Sequence, residues 1–162
     1  MAFVLSSPDI QDGQTIPMAH IANVMGCTGE NLSPALSWSG APEGTKSFAL
    51  TVYDPDAPTG SGFWHWVVFN IPPSATSLPR GVTADGKGLP AGAIQSRTDA
   101  GPGGYLGPAP PPGHGAHRYI FTLYALKTET LEADADASGA YIGFNIHFAQ
   151  IGSASLTGTF GR

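Results

Sequence analysis

Residues 118–126 read Arg118-Tyr119-Ile120-Phe121-Thr122-Leu123-Tyr124-Ala125-Leu126. Tyr119, Phe121 and Leu123 recur every second position, so in an extended chain they share one face. Aromatic and β-branched side chains suit a pleated surface. The stretch is therefore a strand with one face in a core. Two neighbours in sequence read the same way. Ser47 to Tyr53 sets Phe48, Leu50 and Val52 against Ala49, Thr51 and Tyr53. His65 to Ile71 is aromatic and β-branched, and regular alternation puts His65, Val67 and Phe69 on one face. Val4–Leu5 and Ala35–Trp38 are shorter strands. Turn clusters separate these segments: Asp12-Gly13, Ser39-Gly40, Pro42-Glu43-Gly44, Thr59-Gly60-Ser61-Gly62 and Asp85-Gly86.

Composition agrees. The chain has 162 residues, of which 22 are Gly and 15 are Pro. These are the two poorest helix formers, so a mostly helical fold is excluded. A hydrophobic fraction of 41% supplies enough apolar surface to oppose disorder. No strict glycine period exists, which excludes collagen. The expectation is one mainly β domain over 1–162, without a linker or repeat. One helix is expected within Leu131–Gln150, capped by Asp136 and ended by Gly152, with Tyr141, Ile142, Asn145, Ile146 and Ala149 as its core stripe. Ser153–Phe160 then returns as a strand.

Charge narrows the function classes. Seven basic residues are scattered among 12 acidic ones, for a net charge of -5. No basic cluster can neutralise a run of phosphates, which argues against nucleic acid and against docking on anionic membranes. No apolar run approaches the ~20 residues of a spanning helix. The first residues carry no basic region of the kind that opens a signal peptide, and Cys27 is a lone cysteine. A cytoplasmic location is expected.

One segment stands apart. Asp99 to His117 holds six Gly and five Pro, with a single carboxylate as its formal charge. Fixed φ at Pro and free φ at Gly specify a bent loop rather than a loose one. It ends at His114 and His117, where strand 118–126 begins. Asp54-Pro55-Asp56-Ala57-Pro58 directly follows strand 47–53, and His65 opens strand 65–71. With these strands as neighbours, Asp54, His65, His117 and Tyr119 converge at one sheet end. Arg118 is placed to pair with Asp56 or Asp54. His147, on the helix, reads as a partly buried structural histidine.

Four chemistries suit such a cluster. Imidazoles, a phenol and turn N–H groups can hold a phosphate-like anion. Asp with two His is an acceptable metal set, although neither His-Glu-x-x-His nor a cysteine cluster is present. Ser, His and Asp exist for a hydrolase, but no Gly-x-Ser-x-Gly elbow does. Last, the histidines can simply stiffen Pro-rich turns. The favoured reading is a pocket without metal, cofactor or enzymatic turnover.

These motifs together resemble the phosphatidylethanolamine-binding protein family, in its bacterial Raf-kinase-inhibitor-like branch. Asp54-Pro55-Asp56-Ala57-Pro58 with Trp64-His65-Trp66-Val67-Val68 resembles its first signature. Gly104-Tyr105-Leu106-Gly107-Pro108-Ala109-Pro110-Pro111-Pro112-Gly113 with His117-Arg118-Tyr119 resembles its second. Asn31 to Trp38 and Leu156 to Phe160 are similar to its early and closing segments. The resemblance implies a β-sandwich of two antiparallel sheets with one or two peripheral helices. It implies a small pocket for phosphate-like anions or phospholipid headgroups such as phosphoethanolamine. Asp54, His65, His117 and Tyr119 would line it, with Asp56, Ala109, Pro110 and Pro111 as rim or backing. A homodimer is suggested by bacterial members. The alternative is an interaction protein that inhibits a kinase or protease through its loops. Ala109 stands where the family often has Gly or Cys, Leu106 replaces a usual Gly, and the second motif is longer through Pro112-Gly113-His114.

Overall fold

The computed structural model describes residues 1–162. In chain order its strands are β1 (Val4–Ser6), β2 (Leu36–Ser39), β3 (Ser47–Asp54), β4 (Phe63–Ile71), β5 (Ser77–Leu78), β6 (Ile94–Gln95), β7 (His117–Leu126) and β8 (Gln150–Phe160). One α-helix, α1 (Gly139–Ala149), lies between β7 and β8. β1, β2 and β5 form one sheet, in the order β1-β2-β5. The other sheet runs β6-β4-β3-β7-β8. All neighbours within each sheet are antiparallel.

The sandwich core lies between the sheets. Phe48, Leu50 and Val52 of β3 meet Trp66 and Val68 of β4 and Tyr119, Phe121 and Leu123 of β7 there. Leu5, Leu36, Trp38 and Leu78 close it from the small sheet. The opposite face of the large sheet is covered by α1, with Ile142, Ile146 and Ala149 over Ala49, Val67 and Phe69. Burial on both sides explains why the middle of β3, Phe48 to Val52, carries no charge and only the Thr51 hydroxyl.

The helix differs from its sequence reading in four ways. Ser138, not Asp136, caps it: Ser138 Oγ accepts from the Tyr141 N–H at 3.1 Å. Helical φ/ψ ends at Ala149, and Gly152 lies inside β8 rather than at a helix stop. Tyr141 leaves the expected core stripe and is half exposed. His147 is exposed instead of partly buried. Gly139 is a poor helix former with a packing reason for its place. A methyl group there would lie 2.5 Å from Trp64 Cγ, so only glycine lets the helix start against the indole.

β4 holds the most consequential departure. Val52 faces Trp66 while Tyr53 faces Trp64, so His65 is an extra residue in the ladder. A second slip lies between the pairs Phe48–Ile71 and Leu50–Val68, beside Asn70, whose φ is 57°. β-Bulges of this kind re-aim side chains. His65 consequently does not share a face with Val67 and Phe69, as simple alternation predicts. Those two lie beneath α1, whereas His65 turns to the sandwich side, where its ring meets Tyr119 edge-on at 5.2 Å.

Candidate functional site

Four chemistry-bearing residues meet at one end of the sandwich. β3 delivers Asp54 at its last position, β4 delivers His65 at the bulge, and β7 delivers His117 and Tyr119 on one face. With Ala109, Pro110 and Pro111 they line a cavity of about 140 Å³. Sequence reasoning missed Met25, Ala57, Pro58, Thr59, Phe63 and Leu106, which complete the lining. Pro58 and Thr59 follow from the Asp-Pro-Asp-Ala-Pro turn. Met25 carries no such signal, because it arrives from a distant loop at a left-handed φ of 57°.

The floor is a hydrogen-bonded chain. His117 Nδ1 donates to Asp54 Oδ2 at 2.7 Å, and both side chains are almost fully buried. Asp54 Oδ1 also accepts the Asp56 N–H at 2.8 Å. The other nitrogen of His117, Nε2, lies 2.5 Å from Nδ1 of His114. His65 Nδ1 donates to the Leu106 carbonyl at 2.8 Å, and Leu106 N–H returns a bond to the His65 carbonyl at 3.0 Å. Burial pushes the His65 imidazole below its ordinary pKa, partly offset by the Leu106 carbonyl, so it is neutral near pH 7. Burial raises the Tyr119 phenol, helped by the Asp54 charge, so it stays an O–H. That hydroxyl is buried and has no hydrogen-bond partner in the protein.

Asp56 does not line the cavity. It stands behind it and takes a two-pronged bond from Arg118, with Nε to Oδ2 at 3.0 Å and Nη2 to Oδ1 at 2.9 Å. The Arg118 N–H adds a third at 2.9 Å. These bonds lower the Asp56 carboxyl to about 2. Its folded pKa thus lies below the unfolded value near ~3.9. The pair contributes stability above pH ~4 and loses it as pH falls toward 2. Arg118→Ala should therefore melt earlier than the unaltered chain at pH 7. The gap should close between pH 4 and pH 2, followed by thermal melts. A gap that stays constant over that range would show that Asp56 does not depend on Arg118.

The Pro/Gly loop forms the opposite wall and is tied from behind. Asn31 donates Nδ2 to the Tyr105 carbonyl at 3.1 Å and accepts the Gly107 N–H at 2.8 Å. Tyr105 donates its hydroxyl to the His20 carbonyl at 2.7 Å. Arg162 spans two walls, giving Nε to the Pro110 carbonyl at 2.7 Å and Nη2 to the Met25 carbonyl at 2.8 Å.

A two-sheet sandwich with a Pro-walled cavity floored by Asp, two His and Tyr defines a class of ligand-binding proteins. The chain belongs to the phosphatidylethanolamine-binding protein family, whose profile matches residues 6–161. It is 52% identical to the UPF0098 protein YbhB of Escherichia coli, over 96% of this chain and 98% of that one. It is 49% identical to E. coli YbcL, over 96% and 86% respectively. The crystal structure of YbcL, described as a new member of the mammalian PEBP family, superposes with a TM-score of 0.98 and covers 100% of this chain and 99% of that one. A Mycobacterium tuberculosis relative whose name calls it a lipoprotein, LppC, is 40% identical over 96% of this chain and 71% of its own.

Proposed function

We propose that the chain binds a phosphate-like oxyanion, free or as a phospholipid headgroup, without turning it over. The carrying observation is the Tyr119 hydroxyl, buried at the cavity floor without a partner. Buried polar groups are nearly always paired, so an orphan donor beside two imidazoles suits a ligand oxygen. The cavity volume, about 140 Å³, corresponds to a few waters at roughly 30 Å³ each, a scale that suits a headgroup rather than an acyl chain. In this reading Asp54, His65, His117 and Tyr119 contact the ligand. Ala109, Pro110 and Pro111 shape it, and Asp56 supports the floor through Arg118. Thr59, the other hydroxyl in the lining, is committed to the Gly62 carbonyl at 2.6 Å, which supports binding over nucleophilic chemistry.

The test is calorimetric titration with inorganic phosphate and with glycerophosphoethanolamine, which separates a free anion from a headgroup. His65→Ala should weaken the preferred probe about ten-fold by releasing the Leu106 wall that the His65 ring holds in place. Tyr119→Phe is the cleaner variant, because it removes only an unpartnered hydroxyl. It should leave stability unchanged or slightly raised while lowering affinity five- to ten-fold. Unchanged affinity in Tyr119→Phe, or no binding of either probe, would sink the reading. No helix of the chain is long and apolar enough to cross a membrane. A cytoplasmic site of action and folding as one unit over 1–162 belong to the same proposal. Cell fractionation and a single cooperative melt check them.

A further inference from the structure

An imidazole has two nitrogens, and both nitrogens of His117 are already engaged. Nδ1 gives its proton to the Asp54 carboxylate, which can only accept. With His117 neutral, Nε2 carries a lone pair, and the 2.5 Å approach of His114 Nδ1 makes His114 the donor to it. His117 therefore lines the cavity without offering it a proton. His65 has its Nδ1–H committed to the Leu106 carbonyl. As it stands, the floor is poor in donors and holds one carboxylate, an arrangement that repels an oxyanion rather than holding it.

The partner on Nε2 is built to leave. His114 is exposed, whereas His117 is buried. It lies between Gly113 and Gly115, whose φ values are 76° and 87°, and there is open space where a Cβ would stand at either glycine. Such glycines let the backbone turn with little steric resistance. The backbone bonds that anchor the loop here do not involve the His114 ring. Gly113 N–H donates to the Arg162 carbonyl at 2.6 Å, and His114 N–H donates to the Pro111 carbonyl at 3.2 Å.

We propose that His114 is a removable cap on His117: the cavity takes a phosphate-like oxyanion once the His114–His117 bond opens and the Asp54–His117 pair accepts one proton from solvent. The protonated imidazole then gives Nδ1–H to Asp54 and Nε2–H to the anion. This rests on the oxyanion reading of the cavity and adds a control to it. The groups that face the pair fit this assignment. Asp54 from β3 accepts from the His117 ring, and Asp56 behind it is taken up by Arg118. His65 of β4 and Tyr119 of β7 stay neutral at the cavity, and Cys27 lies beyond Tyr119.

The test uses the full chain, with inorganic sulfate and glycerophosphoethanolamine as probes, since neither anionic group titrates near neutral pH. Each is titrated into the unaltered chain and into His114→Ala, in two buffers that differ in ionisation enthalpy. His114→Ala should bind about five-fold tighter, the value of one net hydrogen bond no longer broken. Both chains should take up about one proton on binding, and affinity should fall by up to about ten-fold per pH unit on the alkaline side. Because His114 is an exposed loop residue and gives up only that one bond, the variant should fold and melt about 2–4 °C below the unaltered chain. If it does not, loss of the cap is read from the ¹⁵N shift of the His117 ring during titration of the unaltered chain. Unchanged affinity in a folded His114→Ala, or a His117 ring that keeps its shift on binding, would overturn the cap. Equal heats in the two buffers would overturn the proton uptake. If no chain binds either probe, the oxyanion reading itself falls and the cap with it.

Discussion

Asp54→Ala is expected to cost about 3 kcal/mol of folding stability and to lower oxyanion affinity by at least ten-fold. Asp54 is 2% exposed, and its carboxylate accepts from two donors at once, the His117 ring and the Asp56 backbone. Without it, both donors stay buried and unpaired. The cost is held below that of a stranded charge because His117 can remain neutral. The binding loss has a separate origin. In the proposed bound state Asp54 is the counter-charge that orients the His117 donor, so its removal weakens that donor. Asp54→Asn separates the two effects: it keeps the volume and one acceptor oxygen, so most of the stability should return while affinity stays low. Urea denaturation of both variants, with unchanged slope, measures the first effect and titration the second. A stability loss under 1 kcal/mol in Asp54→Ala would show that the buried pair is not structural.

Gly107→Ala should be comparably damaging, at about 3 kcal/mol. A methyl group at this position would drive into the His20 carbonyl oxygen and the Ala22 nitrogen, which are backbone atoms without rotamer freedom. Relief requires the 105–111 loop to move away from the 20–22 segment. That movement breaks the Gly107–Asn31 bond and the Ala22 N–H bond to the Pro108 carbonyl at 3.1 Å. Leu106 and Ala109 belong to the cavity wall, so the variant should also bind weakly even where it is folded. A variant that melts and binds like the unaltered chain would show that this close approach is not needed.

Much of this was legible in the residues. Alternation in 47–53 and 118–126 places Phe48, Leu50, Val52, Phe121 and Leu123 in the core where they are found, because β3 and β7 pair without a register slip. The pairing of Arg118 with Asp56, rather than Asp54, settles one open choice. Asp54, His117 and Tyr119 follow from strand ends and parity alone. His65 did not. Its cluster was anticipated, but its facing was assigned by an alternation that the bulge interrupts, and no glycine or proline marks the slip. The helix start was misread because Asp136 and Ser138 are both good caps, and tertiary contact with Trp64 selects between them. Met25 and Arg162 join the site only through long-range backbone contacts, which no local pattern encodes.

The two slips in β4 act together as a phase change and its reversal. Counting from Phe63, odd positions face the cavity side at 63 and 65, the helix side at 67 and 69, and the core again at 71. The strand therefore enters and leaves in step with itself, and only its middle is inverted. Were the first slip healed, His65 would stand opposite Tyr53 beneath the helix and Trp64 would take the cavity place of Phe63. The identity of the cavity floor is thus written not only in which residues β4 contains but in a count: the one residue that the first slip adds over its partner strand.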